Sequence, residues 1–513
     1  MPDSSGSTVS AWLDQQHPIH RKPLDSDATA EVCVIGAGIA GMCVAYMLGR
    51  QGASVIVLDD GPIGGGETGR TTAHLSNAFD DRYFEVERLR GSEAARIIAQ
   101  SHGSAIDSID QIAASEGIDC DFQRLDGYLF LAEGQQPQLL SQELEAAVRA
   151  GAQAELVSQA PVAALGSALR FARQGQFHPM KYLAGLTGAT ERRGGRIYTG
   201  TRAVRMDGGA DACVHTSTGV RVRCGAIVVA TNTPVNDAVA IHTKQAPYRT
   251  FVIAASISRG AVSNALYWDV GWPYHYVRLQ AGSDDHDLLI VGGEDHKTGQ
   301  ADDGQQRFAR LEQWARERFP AMGTVRYRWS GQVMEPVDGV AFIGRNPMDH
   351  DNVYIVTGDS GQGMTHGTIG GMLLADLIAG RSNPWAELYD PSRKTLKAIR
   401  DWASENLNVA RQYGDYLTSG DVDSRQQIAA GQGAVLRRGL SKIAVYRDDS
   451  GQLHERSAVC PHMKCVVHWN SLEKSWDCPC HGSRFSAEGE AVNGPANQDL
   501  PAAPAAKQQA ASL

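Results

Sequence analysis

The spacing of hydrophobic and polar positions changes several times along the chain, and each change predicts a different kind of element. Residues 1–30 are mostly polar, with Trp12 as the side chain able to dock such an extension. Residues 30–35 form a compact apolar run that reads as a buried strand. A helical pattern follows from Gly41 to about Gln51 and stops at Gly52, and a second apolar run, 53–58, ends at Asp59. Residues 83–165 carry Ala, Glu, Gln and Leu at helical spacing around one strand at 126–131. Another buried strand is predicted at 226–232. Within 246–328, strands are predicted at 251–256, 274–279 and 288–292. A run at 353–357 enters a glycine stretch and then a helical segment at 370–379. Residues 384–404 are charged and helical, and 414–423 read as loose chain. From 430 the strands are short, at 433–436 and 442–447, with a turn at 449–451. After Leu500 the chain is rich in Ala, Pro and Gln, and its end is expected to be disordered.

Length and composition narrow the class. At 513 residues the chain is too long for one core, and about three domains are expected. Hydrophobic content of 42% and charged content of 21% suit an ordinary globular protein, and a net charge of −10 argues against a nucleic-acid partner. The polar N-terminus lacks the apolar core of a secretory signal, so a cytoplasmic protein is expected. The longest uncharged run, 32–49, approaches the length of a membrane span, but its regular glycines point elsewhere. No transmembrane segment is expected, and peripheral membrane contact is left open. Of nine cysteines, Cys33, Cys43, Cys120, Cys213 and Cys224 are scattered and read as buried small hydrophobes; the other four cluster near the C-terminus.

The glycines lie between the first strand and the helix, as Gly36-Ala37-Gly38-Ile39-Ala40-Gly41. Strand, Gly-x-Gly-x-x-Gly, helix, strand and acidic residue is the order of a dinucleotide-binding βαβ unit. Gly36 permits the tight turn, Gly38 lets the backbone approach a pyrophosphate, and Gly41 lets helix and strand pack closely. The helix N-terminus offers free N–H groups to phosphate, and Asp59 can accept hydrogen bonds from a ribose. The fingerprint alone does not separate NAD from FAD. Together with Gly358-Asp359-Ser360-Gly361-Gln362-Gly363-Met364, residues 178–185 and the segments at 329–331 and 338–344, it resembles the D-amino-acid oxidase-like FAD-dependent oxidoreductases. That resemblance implies FAD as cofactor, with Gly358, Gly361, Gly363 and Met364 against the flavin. It also places the loop holding Thr71, Thr72 and His74 beside the flavin, with His74 either in contact with the ring or covalently linked to it. In the 274–279 strand, Tyr274, Tyr276 and Arg278 fall on one face. They are the candidate substrate-side residues, an arginine with two phenols suiting an anionic group such as a carboxylate.

Near the C-terminus stand Cys460-Pro461-His462-Met463-Lys464-Cys465 and Cys478-Pro479-Cys480-His481-Gly482-Ser483. Zinc pairs usually group Cys with Cys and His with His, whereas each loop here mixes one Cys with one His. That mixture suits an iron–sulfur centre with two thiolates on one iron and two imidazoles on the other. With Gly494-Pro495 further on, the pattern resembles the Rieske [2Fe–2S] family. The resemblance implies Cys460, His462, Cys478 and His481 as cluster ligands and a disulfide between Cys465 and Cys480. It also sets Lys464 where a glycine is usual, so a differently shaped first loop is expected. Residues 65–75, in one chain with these loops, look like a bacterial subfamily joining both units.

The combined resemblance implies an α/β (α+β) FAD-binding Rossmann-type domain with an interleaved antiparallel-sheet substrate domain, plus a small all-β Rieske domain. Cofactor segments are expected at about 31–82, 166–245 and 329–385, and substrate segments at about 83–165 and 246–328. A helical connector at 386–425, the Rieske domain at 426–503 and a tail at 504–513 complete the chain. The implied activity is FAD-dependent oxidation of a small amine or amino-acid-like substrate, with electrons passing through the cluster to an unknown acceptor. The alternatives are an NAD(P)H-driven flavin–Rieske reductase, which would need a second glycine fingerprint, and a non-catalytic redox sensor. Phe485 stands where high-potential Rieske relatives carry a tyrosine hydroxyl that donates toward cluster sulfur. Phe485→Tyr is therefore expected to raise the cluster potential within the Rieske range of roughly −150 to +300 mV, measured by voltammetry; an unchanged or lower potential removes the argument.

Overall fold

Two large sheets and a small β-domain account for most of the chain. The computed structural model describes residues 5–16, 18–236, 241–282, 285–394 and 399–504; the expected disordered tail, residue 504 apart, lies outside the described residues. The first sheet runs Phe342–Arg345, Val353–Thr357, Arg221–Val229, Ala28–Ile35, Val55–Leu58, Arg196–Tyr198. Along this path the pairs are parallel except at the Phe342–Arg345 edge, and Cys213–Thr216, paired with Ala203–Asp207, adds an antiparallel hairpin beside Arg221–Val229. Val55–Leu58 and Val353–Thr357 are buried at every residue, one face under helices and the other under Ala203, Val214 and loop residues Leu24 and Ile241. Helices Ile39–Arg50 and Gly363–Ile378 pack together on one face.

The second, nine-stranded sheet joins Met322–Pro336, Gln245–Ser258, His286–Lys297, His275–Gln280, Leu266–Asp269, Gln123–Phe130, Ala168–Gln176 and His74–Leu75, with Ala154–Val157 paired beside this path. Alternation along Gln245–Ser258 divides two cores. Phe251, Ile253, Ala255 and Ile257 pack with Phe308 and Leu311 of the helix Gly304–Arg318, whereas Val252 and Ala254 join the main core. The pairing corrects the expected segment boundaries at 166 and 329, because Ala168–Gln176 and all of Met322–Pro336 belong to this sheet. A short run's alternation says that it is a strand but not which sheet it joins.

The C-terminal domain has a three-stranded sheet (Gln432–Arg438, Ser441–Arg447, Leu453–Ser457) and a four-stranded one (His468–Asn470, Ser475–Asp477, Arg484–Ser486, Ala491–Asn493). The connector ends in the helix Ile399–Gln412, which reaches past the expected end at 404, and the turn Tyr413–Leu417. That turn holds the first cysteine loop: Tyr413 donates its hydroxyl to the Met463 carbonyl at 2.6 Å and Tyr416 donates to that of Lys464. Lys464 adopts φ +63°, the left-handed region that favours glycine.

A buried ionic network locks this domain to the rest. Arg70 lies 3.2 Å from Glu473, Arg249 3.7 Å from Glu473 and 3.8 Å from Asp477, and Arg484 3.1 Å from Asp477. None of these side chains is more than 2% exposed. Asp477 is a buried member of this network. The N-terminal extension is part of the joint, with the Thr8 N–H and hydroxyl both donating to Glu473 (3.0 and 2.6 Å). Trp12 is fully buried and donates its indole N–H to the Thr71 carbonyl at 2.6 Å, the docking expected of it. Burial alone pushes the Glu473 carboxyl up, but the charges of Arg70, Arg249 and Arg484 overcome that and bring it down to about 2. A depressed carboxyl adds stability above its unfolded value near 4.5, and this contribution is lost as pH falls toward 2. Glu473→Gln leaves three buried guanidinium groups undercompensated and is expected to cost about 3–5 kcal/mol in urea unfolding. A change under about 0.5 kcal/mol places the joint elsewhere.

Candidate functional site

A cavity of about 330 Å³ runs from the glycine fingerprint to the second sheet. At one end Gly36, Gly38, Asp59 and Asp60 line it; at the other, His74, Tyr274, Tyr276, Gly361 and Met364. The fingerprint glycines meet their expected demands. Gly36 has φ +102°, and a Cβ there would lie 2.3 Å from the Ala230 carbonyl oxygen; a Cβ on Gly41 would lie 1.9 Å from that of Gly36. Gly38 caps the helix, its added Cβ meeting only Thr68 Oγ1 at 3.0 Å, so it presents a bare N-terminus to the cavity. This cradle, continuous with a cavity reaching the other sheet, fits an extended dinucleotide such as FAD. Asp59 lines the cavity and accepts the Ala37 and Gly61 N–H groups at 2.6 and 2.8 Å, and burial with the neighbouring Asp60 charge pushes its carboxyl up to about 7.

Of the remaining expected cofactor residues, Thr71, Thr72, His74, Gly361, Gly363 and Met364 line the cavity. Gly358 stands behind the wall with φ +71°, where a Cβ would press on Pro336 at 2.8 Å. The His74 ring is held at both nitrogens, by Thr72 Oγ1 (3.1 Å) and the Val277 carbonyl (3.3 Å). Burial, then the Arg278 charge, lowers its pKa to about 3. A neutral imidazole held at both nitrogens fits the contact role.

The substrate-side expectation divides. Tyr274 and Tyr276 line the cavity, their rings 5.3 Å apart, and Tyr276 shares a 2.8 Å hydrogen bond with Thr250. Arg278 does not line it. Fully buried, it donates to the carbonyls of Thr72, Ala73 and Phe177 (3.0–3.1 Å), to that of Leu279 at 3.3 Å and to the Gln280 amide oxygen at 2.5 Å. It fastens the 72–73 loop, and its donors are consumed by that task. Strand alternation identified the face correctly but not what the guanidinium meets there. The sequence reading missed Asp80, which lines this end with Tyr274, and passed over Asp359 and Gln362 within a stretch noted only for its glycines. Their spacing carried no periodic signal.

The two cysteine–histidine loops converge. Each is a tight turn, the Cys460 N–H donating to the Cys465 carbonyl (2.9 Å) and the Cys478 N–H to that of Ser483 (2.8 Å). A disulfide joins Cys465 to Cys480 and ties the loops together. Cys460 and Cys478 stay outside it as buried thiols, and the rings of His462 and His481 lie 5.1 Å apart. Nδ1 of His481 is buried with no protein partner among the described residues. Two thiols, two imidazoles and a buried, unengaged ring nitrogen fit a [2Fe–2S] cluster, which Cys460, His462, Cys478 and His481 would hold. Among the scattered cysteines, Cys33, Cys43 and Cys120 are buried and Cys213 and Cys224 half-buried.

The two sites share a wall. Gln332 lines the cavity and donates its amide N–H to the Gly482 carbonyl, next to His481, at 2.9 Å. Gly482 comes so close to this wall that a Cβ there would lie 2.5 Å from Pro247. His242 packs its ring 4.8 Å from that of His462. The C-terminal domain also lends Ala491, Asn493 and Asn497 to the cavity lining, and Arg202 donates to the Ala491 carbonyl at 2.7 Å.

Comparison with known proteins agrees with this division. The family model for FAD dependent oxidoreductases matches residues 31–377, and that for the Rieske [2Fe-2S] domain matches 419–504. The Bacillus subtilis Rieske 2Fe-2S iron-sulfur protein YhfW is 31% identical over 93% of this chain and 94% of its own length. Gamma-glutamylputrescine oxidoreductase of Escherichia coli is 27% identical over 74% of this chain and 90% of its own. The glycine oxidase structure from Geobacillus kaustophilus superposes with a TM-score of 0.59 at 15% identity, covering 72% of this chain and 99% of its own, which shows a common fold.

Proposed function

The chain belongs to the FAD dependent oxidoreductase family and ends in a Rieske [2Fe–2S] domain, and from that membership we propose an amine dehydrogenase with an internal electron relay. In this reading a small amine or amino-acid-like substrate is oxidised at the second-sheet end of the cavity. Two electrons then leave one at a time through the Rieske centre to a separate acceptor. Bound FAD supplies hydride acceptance and the cluster supplies single-electron exchange. The observation that carries the proposal is the shared wall: Gln332 touches both the cavity and the loop of His481.

The chain's own residues have roles that follow from their places. Gly36, Gly38 and the helix N-terminus hold the pyrophosphate. Thr71, Thr72 and His74 fix the loop beside the reacting end, itself fastened by Arg278. Burial keeps the phenols of Tyr274 and Tyr276 protonated, so they act as neutral hydrogen-bonding groups that orient the substrate. Segment 490–497 covers the cavity and excludes water from it. The relatives support the class: by their names they act on gamma-glutamylputrescine and glycine. No helix among the described residues is long and apolar enough to cross a membrane.

Anaerobic titration of the purified protein with amines, amino acids and NADH tests this. At least one amine or amino acid is expected to bleach the flavin absorbance, and NADH is expected not to. Bleaching by NADH alone contradicts the proposal in favour of a reductase, and no bleaching by any of them favours a sensor.

A further inference from the structure

The reacting end of the cavity is acidic, and two of its acceptor atoms lack donors among the described residues. Asp80 and Asp359 line the cavity, and the turn 359–363 that carries Asp359 packs on Asp80: a Cβ on Gly361 would lie 2.7 Å from Asp80 Oδ2 and 3.2 Å from the Tyr274 hydroxyl. Behind them the Ser360 hydroxyl faces Glu335 at 2.6 Å and Asp81 at 3.3 Å. Gln362 is 8% exposed, lines the same end and donates its amide N–H to the Ala78 carbonyl at 2.9 Å, which fixes its oxygen. That oxygen is buried with no partner among the described residues, as is Asp359 Oδ1. The arginines near this end are committed elsewhere: Arg70 to Glu473 and the Ser330 and Thr8 carbonyls, Arg82 to the carbonyls of Phe79, Asp80 and Asp269, and Arg278 to those of Thr72, Ala73 and Phe177. Nothing here suits a carboxylate. Burial raises Asp80 to about 7, outweighing the nearby Arg82 charge, and raises Asp359 to about 6.

A buried amide oxygen and two carboxylates with no guanidinium or ammonium hydrogen-bonded to them among the described residues call for a ligand that only donates and carries positive charge. An ammonium has three donors and no acceptor. Oxidation at an amine carbon needs the reacting nitrogen uncharged, so a positive charge held by this cluster belongs to a second nitrogen. We propose that the substrate is a diamine or polyamine, with its distal ammonium held by Asp80, Asp359 and the Gln362 amide oxygen. This rests on the amine-dehydrogenase reading and narrows it.

The test uses the loaded full-length protein and two probes, 1,4-diaminobutane and 1-aminobutane, mixed anaerobically in a stopped-flow instrument. The concentration dependence of flavin bleaching separates Kd from the limiting rate. The diamine is expected to bind at least about tenfold tighter, the factor that 1.4 kcal/mol confers. Asp80→Asn and Asp359→Asn are each expected to shrink that preference by about tenfold, mainly through Kd. Equal affinity of the wild-type protein for both probes overturns the proposal whatever the variants do, as do variants that weaken both probes equally. If neither probe bleaches the flavin, the amine-dehydrogenase reading fails separately. Binding is then read from perturbation of the oxidised flavin band: a tenfold diamine preference supports the cationic site, and no preference overturns it.

Discussion

The buried network of Arg70, Arg249 and Arg484 with Glu473 and Asp477 is the constraint on which the arrangement depends. Isolated buried charges are costly, and these are acceptable only because segments from three regions supply opposite signs and hydrogen bonds to one another. Arg70 comes from the loop after the second strand, Arg249 from a strand of the large sheet, and the acids and Arg484 from the C-terminal domain. The N-terminal residues around Thr8 close the gap. Rotating the C-terminal domain away would separate Arg70 and Arg249 from Glu473 and Asp477. The network is therefore a register device, setting the His481 loop against Gln332 and Pro247 and so against the cavity wall.

That register explains why the two cofactor sites behave as one machine in this account. The C-terminal domain is not tethered beside the flavin domain; it forms part of the cavity lining through 490–497 and shares a hydrogen bond with its wall. Electron exchange between centres depends on short, rigid separations, and a glycine at position 482 allows the closest approach of the two backbones. The connector contributes from the other side, its tyrosines holding the first ligand loop by its carbonyls.

Much of this was legible in the sequence where the chemistry is local. The Gly36–Gly41 fingerprint and the mixed Cys/His loops encode their geometry within a few residues, and both appear where expected. The failures lie where distant segments meet. Arg278 was assigned the correct face, but period-two alternation does not show that three backbone carbonyls wait there. Asp80 and Asp359 are far apart in the chain, and only the fold brings them to one end of the cavity.

The central claim is that the electrons of an oxidised amine reach the Rieske centre within the same molecule. It is tested most directly by mixing the loaded protein anaerobically with a substrate that bleaches the flavin, freezing samples over time and recording the EPR signal of the reduced cluster. The account predicts that the signal grows without any added mediator, at a rate independent of protein concentration. A cluster that stays oxidised while the flavin bleaches, or a rate proportional to protein concentration, would contradict it.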